Sequence, residues 1–261
     1  MRRGRLGDRG LSVLVCAVAL FLVLPTFIVV PMSFSGAEQL SFPPSGFSMR
    51  WYVNYVSDPQ WRLATLNTLL VALGATVLAT CLGTLAALGL LRGRVPFRQL
   101  LIGVFLLPMI VPTIVTAVGT YGVFARFGLA GTVAGMILGH TILALPFVFI
   151  NVAAVLQRVN WVIEQAARSL GATATRAFLL VVLPTIMPGV VAGAIFAFLT
   201  SFDEVVVALF LSGVRAVTLP VQMWSGIRFE INPTVAAVSV VLVIVSSLLF
   251  AVMSRLRKEA P

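Results

Sequence analysis

Two adjacent acids, Asp203 and Glu204, are the only charges in the 37 residues from Ala177 to Gly213. A carboxylate inside an apolar stretch is costly and marks a functional site by default. Such a pair would welcome a cationic solute, with Phe202 or Trp224 offering an aromatic face for cation–π contact. The architectural alternative is equally concrete. Ser201-Phe-Asp-Glu204 has the form of a capping box, so Glu204 can satisfy amides at a helix start while Asp203 favours that helix's dipole. Neighbouring residues on a helix point about 100° apart, so at most one of the two faces a pathway.

Other chemistry is excluded by counting. One histidine, His140, and two distant cysteines, Cys16 and Cys81, do not make a metal site. A hydrogen bond between helices suits His140 better, and Asn67 has the same standing. The only lysine is Lys258, so neither a Walker A loop nor a Schiff-base amine is available. The chain therefore does not hydrolyse ATP by itself. An intramembrane protease is disfavoured because Asp203 is the sole aspartate in the apolar runs and Ser225 lacks a glycine-rich setting. A stand-alone proton-coupled carrier using Asp203 stays open as a rival.

The elements that must position these residues follow from composition. Of 261 residues, 60% are apolar and 10% charged, with a mean hydropathy of +1.08. A soluble domain carries charge on about a quarter of its residues, so the chain belongs in a bilayer. Six uncharged runs of at least 24 residues, at 10–37, 63–91, 99–125, 127–157, 177–202 and 231–254, are each long enough to cross. They are continuous rather than alternating, which predicts helices and excludes a barrel. The first run is too long for a signal peptide's apolar core and is read as an uncleaved span. From Ala177 to Gly213 the length predicts one span followed by a short second helix, with Pro184 and Pro188 bending its start.

Thirteen basic residues fall on the side that holds both termini: Arg2, Arg3, Arg5, Arg9, Arg92, Arg94, Arg98, Arg158, Arg168, Arg176, Arg255, Arg257 and Lys258. Five, Arg50, Arg62, Arg126, Arg215 and Arg228, fall opposite. The positive-inside rule then predicts cytoplasmic termini. The expected organisation is a cytoplasmic segment, first span and outer loop over 1–62, a five-helix core over 63–256, and a cytoplasmic tail over 257–261. Trp51, Tyr52, Tyr55 and Trp61 in the outer loop suit an aromatic belt. Gly131, Gly135 and Gly139, and again Gly189 and Gly193, recur at the spacing that lets helix backbones approach.

Residues 157–176 form the one sizeable polar element on the predicted inner face. Asn160 is placed as an N-cap, Glu164 and Arg168 form an i,i+4 pair, and Gly171 is placed to end the helix in a left-handed turn. Thr173 can start a second short helix. The pattern Ala166-Ala167, three residues, Gly171, nine residues, Val181-x-Leu183-Pro184 closely resembles the EAA loop of ABC-importer permeases. The family's glutamate position aligns with Gln165, and Glu164 stands one residue earlier, about 100° around the helix. The segments His140 to Phe147, Phe202 to Val207, Thr218 to Pro220 and Ile231 to Ala237 resemble the spermidine/putrescine branch of that family.

The resemblance implies an all-α inner-membrane permease of six spans, with a coupling helix between spans four and five. It implies that Glu164, Gln165, Ala166, Ala167, Arg168 and Gly171 dock a cytoplasmic ATPase subunit. It further implies two such ATPase subunits, which bind ATP and Mg, a second related permease chain forming a heterodimer, and an external solute-binding protein. No cofactor is expected in this chain. A polyamine is the implied solute, with another small organic solute as the alternative.

Overall fold

In lipid, a long apolar run must satisfy its backbone internally, and helix is the local solution. A computed structural model describes residues 4–229 and 233–258; for 4–9, 229 and 252–258 it describes the backbone path alone. Arg2, Arg3, Glu230, Ile231, Asn232 and residues 259–261 lie outside the described residues, as do the side chains of Arg5, Arg9, Arg255, Arg257 and Lys258.

The regular elements among the described residues are all helical. In chain order they are α1 (Gly4–Met32), α2 (Arg50–Ser57), α3 (Pro59–Arg92), α4 (Arg98–Ile110), α5 (Thr113–Arg126) and α6 (Val133–Leu156). There follow α7 (Trp161–Ser169), α8 (Ala174–Ala177), a π-helical turn at Phe178–Val182, α9 (Leu183–Phe202), α10 (Val206–Leu211), α11 (Leu219–Phe229) and α12 (Thr234–Lys258). The π turn has a local cause. Pro184 has no N–H to donate to Leu180, so the ladder loosens just before it.

Five stretches are long and apolar enough to cross a membrane: Gly10–Met32, Pro59–Arg92, Val133–Leu156, Ala174–Phe202 and Thr234–Ala251. The run at 99–125, expected as one transmembrane helix, is instead the pair α4 and α5, bent by 106°. The crossing count is six when that pair is one broken span. The break is set by Pro112, which forces Val111 out of helical geometry, to φ −73 and ψ 132. Each half is about 20 Å long, short of the roughly 30 Å hydrocarbon core.

The chain divides into two units, Met1–Arg62 with Met223–Val245, and Leu63–Gln222 with Ser246–Pro261. In the first, the loop after α1 is tied to α2. Trp51 donates its indole N–H to the Ser35 carbonyl at 2.8 Å, and the Tyr52 hydroxyl lies 2.8 Å from Ser33 Oγ. Trp51 and Trp61 are buried, Trp51 against the loop and Trp61 edge-on to Tyr55 at 6.2 Å, so these two indoles pack against protein rather than face outward as the expected belt would.

In the second unit α6 packs against α9. Ala144, Val148, Val152 and Leu156 of α6 meet Ile186 and Ala197 of α9 in one apolar cluster. The approach is close because Gly189 and Gly193 face α6. A Cβ at Gly193 would come within 2.8 Å of Val148 Cα. The other glycine series does not make one helix face. Gly131 precedes α6 and meets Gly213, while Gly135 turns toward the Leu129 carbonyl and Gly139 toward Leu211.

Candidate functional site

The two acids sit in the three-residue break between α9 and α10, and they do different things. Glu204 turns inward, with its side chain only 8% exposed. Its Oε1 accepts hydrogen bonds from Val206 N at 2.9 Å and Val207 N at 3.0 Å, and Oε2 accepts from Ala208 N at 3.0 Å. These are the amides a helix start leaves without intrahelical partners. The capping expectation thus holds for Glu204, but the expected box does not form. Ser201 belongs to the last turn of α9, and the N-cap position of α10 is Val205, which makes no side-chain cap. Asp203 closes α9, and its side chain is exposed.

Ser201 is engaged elsewhere. His140 Nδ1, from α6, lies 2.8 Å from Ser201 Oγ and 3.2 Å from the Ser201 carbonyl oxygen. His140 is 1% exposed, and its Nε2 stands 3.8 Å from Glu204 Oε2. It is the interhelical link the sequence predicted. Phe202 is buried and stacks on Phe198 at 5.2 Å, so its ring does not offer a free face. Trp224 is 47% exposed in α11 and lies in the other unit.

A cleft of about 440 Å³ opens at the α4–α5 break, lined by residues 108–113 together with Leu143, Phe147, Thr200 and Glu204. Glu204 is the one charged residue of that lining. Sequence reasoning missed Phe147, Thr200 and the break itself. The available signal was Pro108 and Pro112, four residues apart inside an apolar run.

At the other end of the same unit, the loop after α6 folds as its residue types dictate. Asn160 Oδ1 accepts from Val162 N at 3.1 Å and opens α7. Gly171, at φ +93, ends it. Gly171 N donates to the Arg168 carbonyl and Ala172 N to the Ala167 carbonyl, the paired bonds of a Schellman turn. Thr173 Oγ1 then accepts from Arg176 N at 3.3 Å and starts α8.

Glu164 does not share the outer face of α7 with its neighbours. It is buried, and its carboxylate accepts a hydrogen bond from the Arg92 guanidinium at the end of α3. The Glu164–Arg168 pair expected from spacing gives way to this longer-range partner. Gln165, Ala166 and Arg168 are exposed, and Ala167 is half-buried. Val162, Ile163 and Leu170 add exposed apolar surface, Leu170 at 90%.

Helices of membrane-crossing length, a capped helix–glycine–helix loop and a sharply bent apolar helix pair beside a carboxylate fit a single class of membrane protein. Residues 79–258 match the family described as binding-protein-dependent transport system inner membrane component, and the chain belongs to that family. It is a multi-pass membrane protein of the ABC-importer permease type.

Its relatives narrow the picture. It is 30% identical to the spermidine/putrescine transport system permease protein PotC of Haemophilus influenzae over 90% of this chain and 91% of that one. It is 31% identical to the putrescine transport system permease protein PotI of Escherichia coli K12, over 92% and 89%. It is also 31% identical to the trehalose transport system permease protein SugB of Mycobacterium tuberculosis, over 82% and 78%. Among solved structures, a chain of a bacterial ABC transporter that imports the acidic polysaccharide alginate shares the fold. The TM-score is 0.79 at 17% identity, covering 98% of both chains. A second alginate-transporter structure, in complex with a pentasaccharide-bound periplasmic protein, gives 0.71 over 99% of this chain and 96% of that one.

Proposed function

We propose that this permease carries a polyamine of the spermidine/putrescine class from an external binding protein into the cytoplasm. ATP hydrolysis on separate ATPase subunits would drive the transport. The observation that carries the reading is Glu204 as the lone charge lining the cleft at the α4–α5 break, with the exposed Asp203 beside it. A dication passing a cleft with no other charged residue needs a carboxylate to replace its lost hydration. The polyamine names of relatives aligned over about nine-tenths of the chain support the same reading.

In this scheme α7 presents Gln165, Ala166 and Arg168 to the ATPase, and Gly171 sets the angle of presentation. Both termini are cytoplasmic, the partner in the membrane is a second related permease, and the complex lies in the bacterial inner membrane. ATP and Mg belong to the ATPase chains. Topology is checked by cysteines placed at Ser57 and Ser169, both exposed. An impermeant maleimide added outside should modify the first and spare the second; the reverse pattern would sink the docking assignment as well.

The trehalose relative gives a second reading in which the solute is an uncharged sugar. Proteoliposomes containing the permease pair and ATPase, supplied with the cognate binding protein, separate the two. ATP-dependent accumulation of labelled putrescine or spermidine supports the polyamine reading. Accumulation of labelled trehalose with no polyamine uptake overturns it.

A further inference from the structure

A nine-residue helix such as α7 is too short to hold its place by its own hydrogen bonds. Its anchor is the last residue of α3. The Arg92 guanidinium donates to the buried Glu164 carboxylate and lies 5.0 Å over the Trp161 ring. Trp161 and Glu164 are three residues apart and so share one face of α7, and Arg92 engages both. Leu91, Arg92, Trp161, Glu164, Gln165 and Arg168 wall a cleft of about 320 Å³ at this joint. The Glu164 side chain is 5% exposed and that of Arg92 39%, so separating them would leave a buried carboxylate unpaired, and the contact should move as a unit.

The opposite part of α3 is gripped just as firmly. Asn67, 4% exposed, donates from Nδ2 to the Arg215 carbonyl at 3.0 Å and the Val217 carbonyl at 2.9 Å. Thr68 Oγ1 accepts from Leu219 N at 2.7 Å. Asn67 thus holds the loop that follows α10, the helix capped by Glu204, and Thr68 holds the first residue of α11, where that loop ends. Between Asn67 and Arg92 α3 is unbroken helix, about 37 Å of it at 1.5 Å per residue. Its two side-chain clamps therefore join α7 to the loop beyond α10 through one rigid element.

We infer that α3 is a transmission strut: the Arg92–Glu164–Trp161 clamp couples displacement of α7 to the loop at 212–218 and the start of α11 through the Asn67 and Thr68 clamp. The inference rests on the reading of α7 as the ATPase-docking helix. Arg92, Glu164, Asn67 and Thr68 are positioning residues, acting through the strut and not on solute. Spatial connection alone does not establish coupling, so the test is energetic.

The test is a double-mutant cycle on the complete transporter in proteoliposomes, with the binding protein and labelled putrescine. Its readout is solute imported per ATP hydrolysed. Arg92→Ala and Asn67→Ala should each lower that ratio about tenfold, within the range of known coupling energies. Clamps in series predict that the double variant is no worse than either single. Independent defects this far apart would multiply, and that result overturns the strut. Arg92→Lys, which keeps the charge, should retain more coupling than Arg92→Ala; equal loss in both also counts against it. Where an alanine variant fails to assemble, Arg92→Lys and Asn67→Ser form the same cycle with the same two outcomes. A cysteine at Gln165 cross-linked to the ATPase in an otherwise native complex separates the failures. No cross-link removes the docking reading. A cross-link with multiplicative losses removes the strut alone.

Discussion

Glu164 and Glu204 are two buried acids at opposite ends of one helical unit, and they are satisfied in different ways. Glu164 is met by a guanidinium from a distant helix, whereas Glu204 is met by three amides of the helix that follows it. The first contact fixes the placement of α7 against α3; the second fixes the start of α10. In each case the exposed polar side chain is the neighbour, Gln165 beside Glu164 and Asp203 beside Glu204. Glu164 is engaged by Arg92, whereas Glu204 both caps α10 and lines the cleft at the α4–α5 break.

Breaking the amide contact should have the largest effect. Glu204→Ala leaves the first amides of α10 without their acceptor, a cost of about 2–4 kcal/mol when capping and burial are combined. Thermal unfolding of the purified complex should show the destabilisation, and uptake should fall with it. Glu204→Gln retains one carbonyl oxygen and should lose about half as much. Native stability in Glu204→Ala would mean that the amides are satisfied another way.

Gly171→Val disturbs the other region without touching its ion pair. A β-branched residue in the left-handed region costs about 1–2 kcal/mol, enough to misplace the helix that Arg92 anchors. The expected result is an inserted, assembled permease that imports less solute per ATP, measured in proteoliposomes. Unchanged coupling would show that the turn does not set the geometry of docking.

Asp203→Asn sharpens the contrast between the two acids. Its side chain is exposed, so unfolding should shift by less than about 0.5 kcal/mol. Uptake of a dication by assembled complexes should nevertheless fall several-fold, while ATPase assembly is preserved. Wild-type uptake in Asp203→Asn would take Asp203 off the solute pathway; only wild-type uptake in Glu204→Gln and in the double variant as well would leave the pair with an architectural role.

Local signals in the sequence are legible because they act over a few residues. Asn160, Gly171 and Thr173 cap and turn the chain as their types require, and the uncharged length from Ala177 predicted a span and a short following helix. The bend at Val111 was also written locally, in Pro112, but a count of charges passes over a proline. The aromatic residues near α2 misled because interface belts and packed loops draw on the same residue types. Only the bond from Trp51 to Ser35 tells the two apart.

By itself the sequence determined the bilayer as solvent, the helical form of its spans, the capped loop around Gly171 and the absence of a nucleotide-binding lysine motif. These follow from composition and from chemistry within about one helical turn. The tertiary structure decided that Glu164 faces Arg92, that Ser201 meets His140 instead of capping α10, and that α9 lies against α6 at Gly193. Each of those contacts joins residues 45 or more positions apart in the chain. A buried charge or hydroxyl takes whichever partner packing brings within reach, and sequence spacing carries no record of that choice.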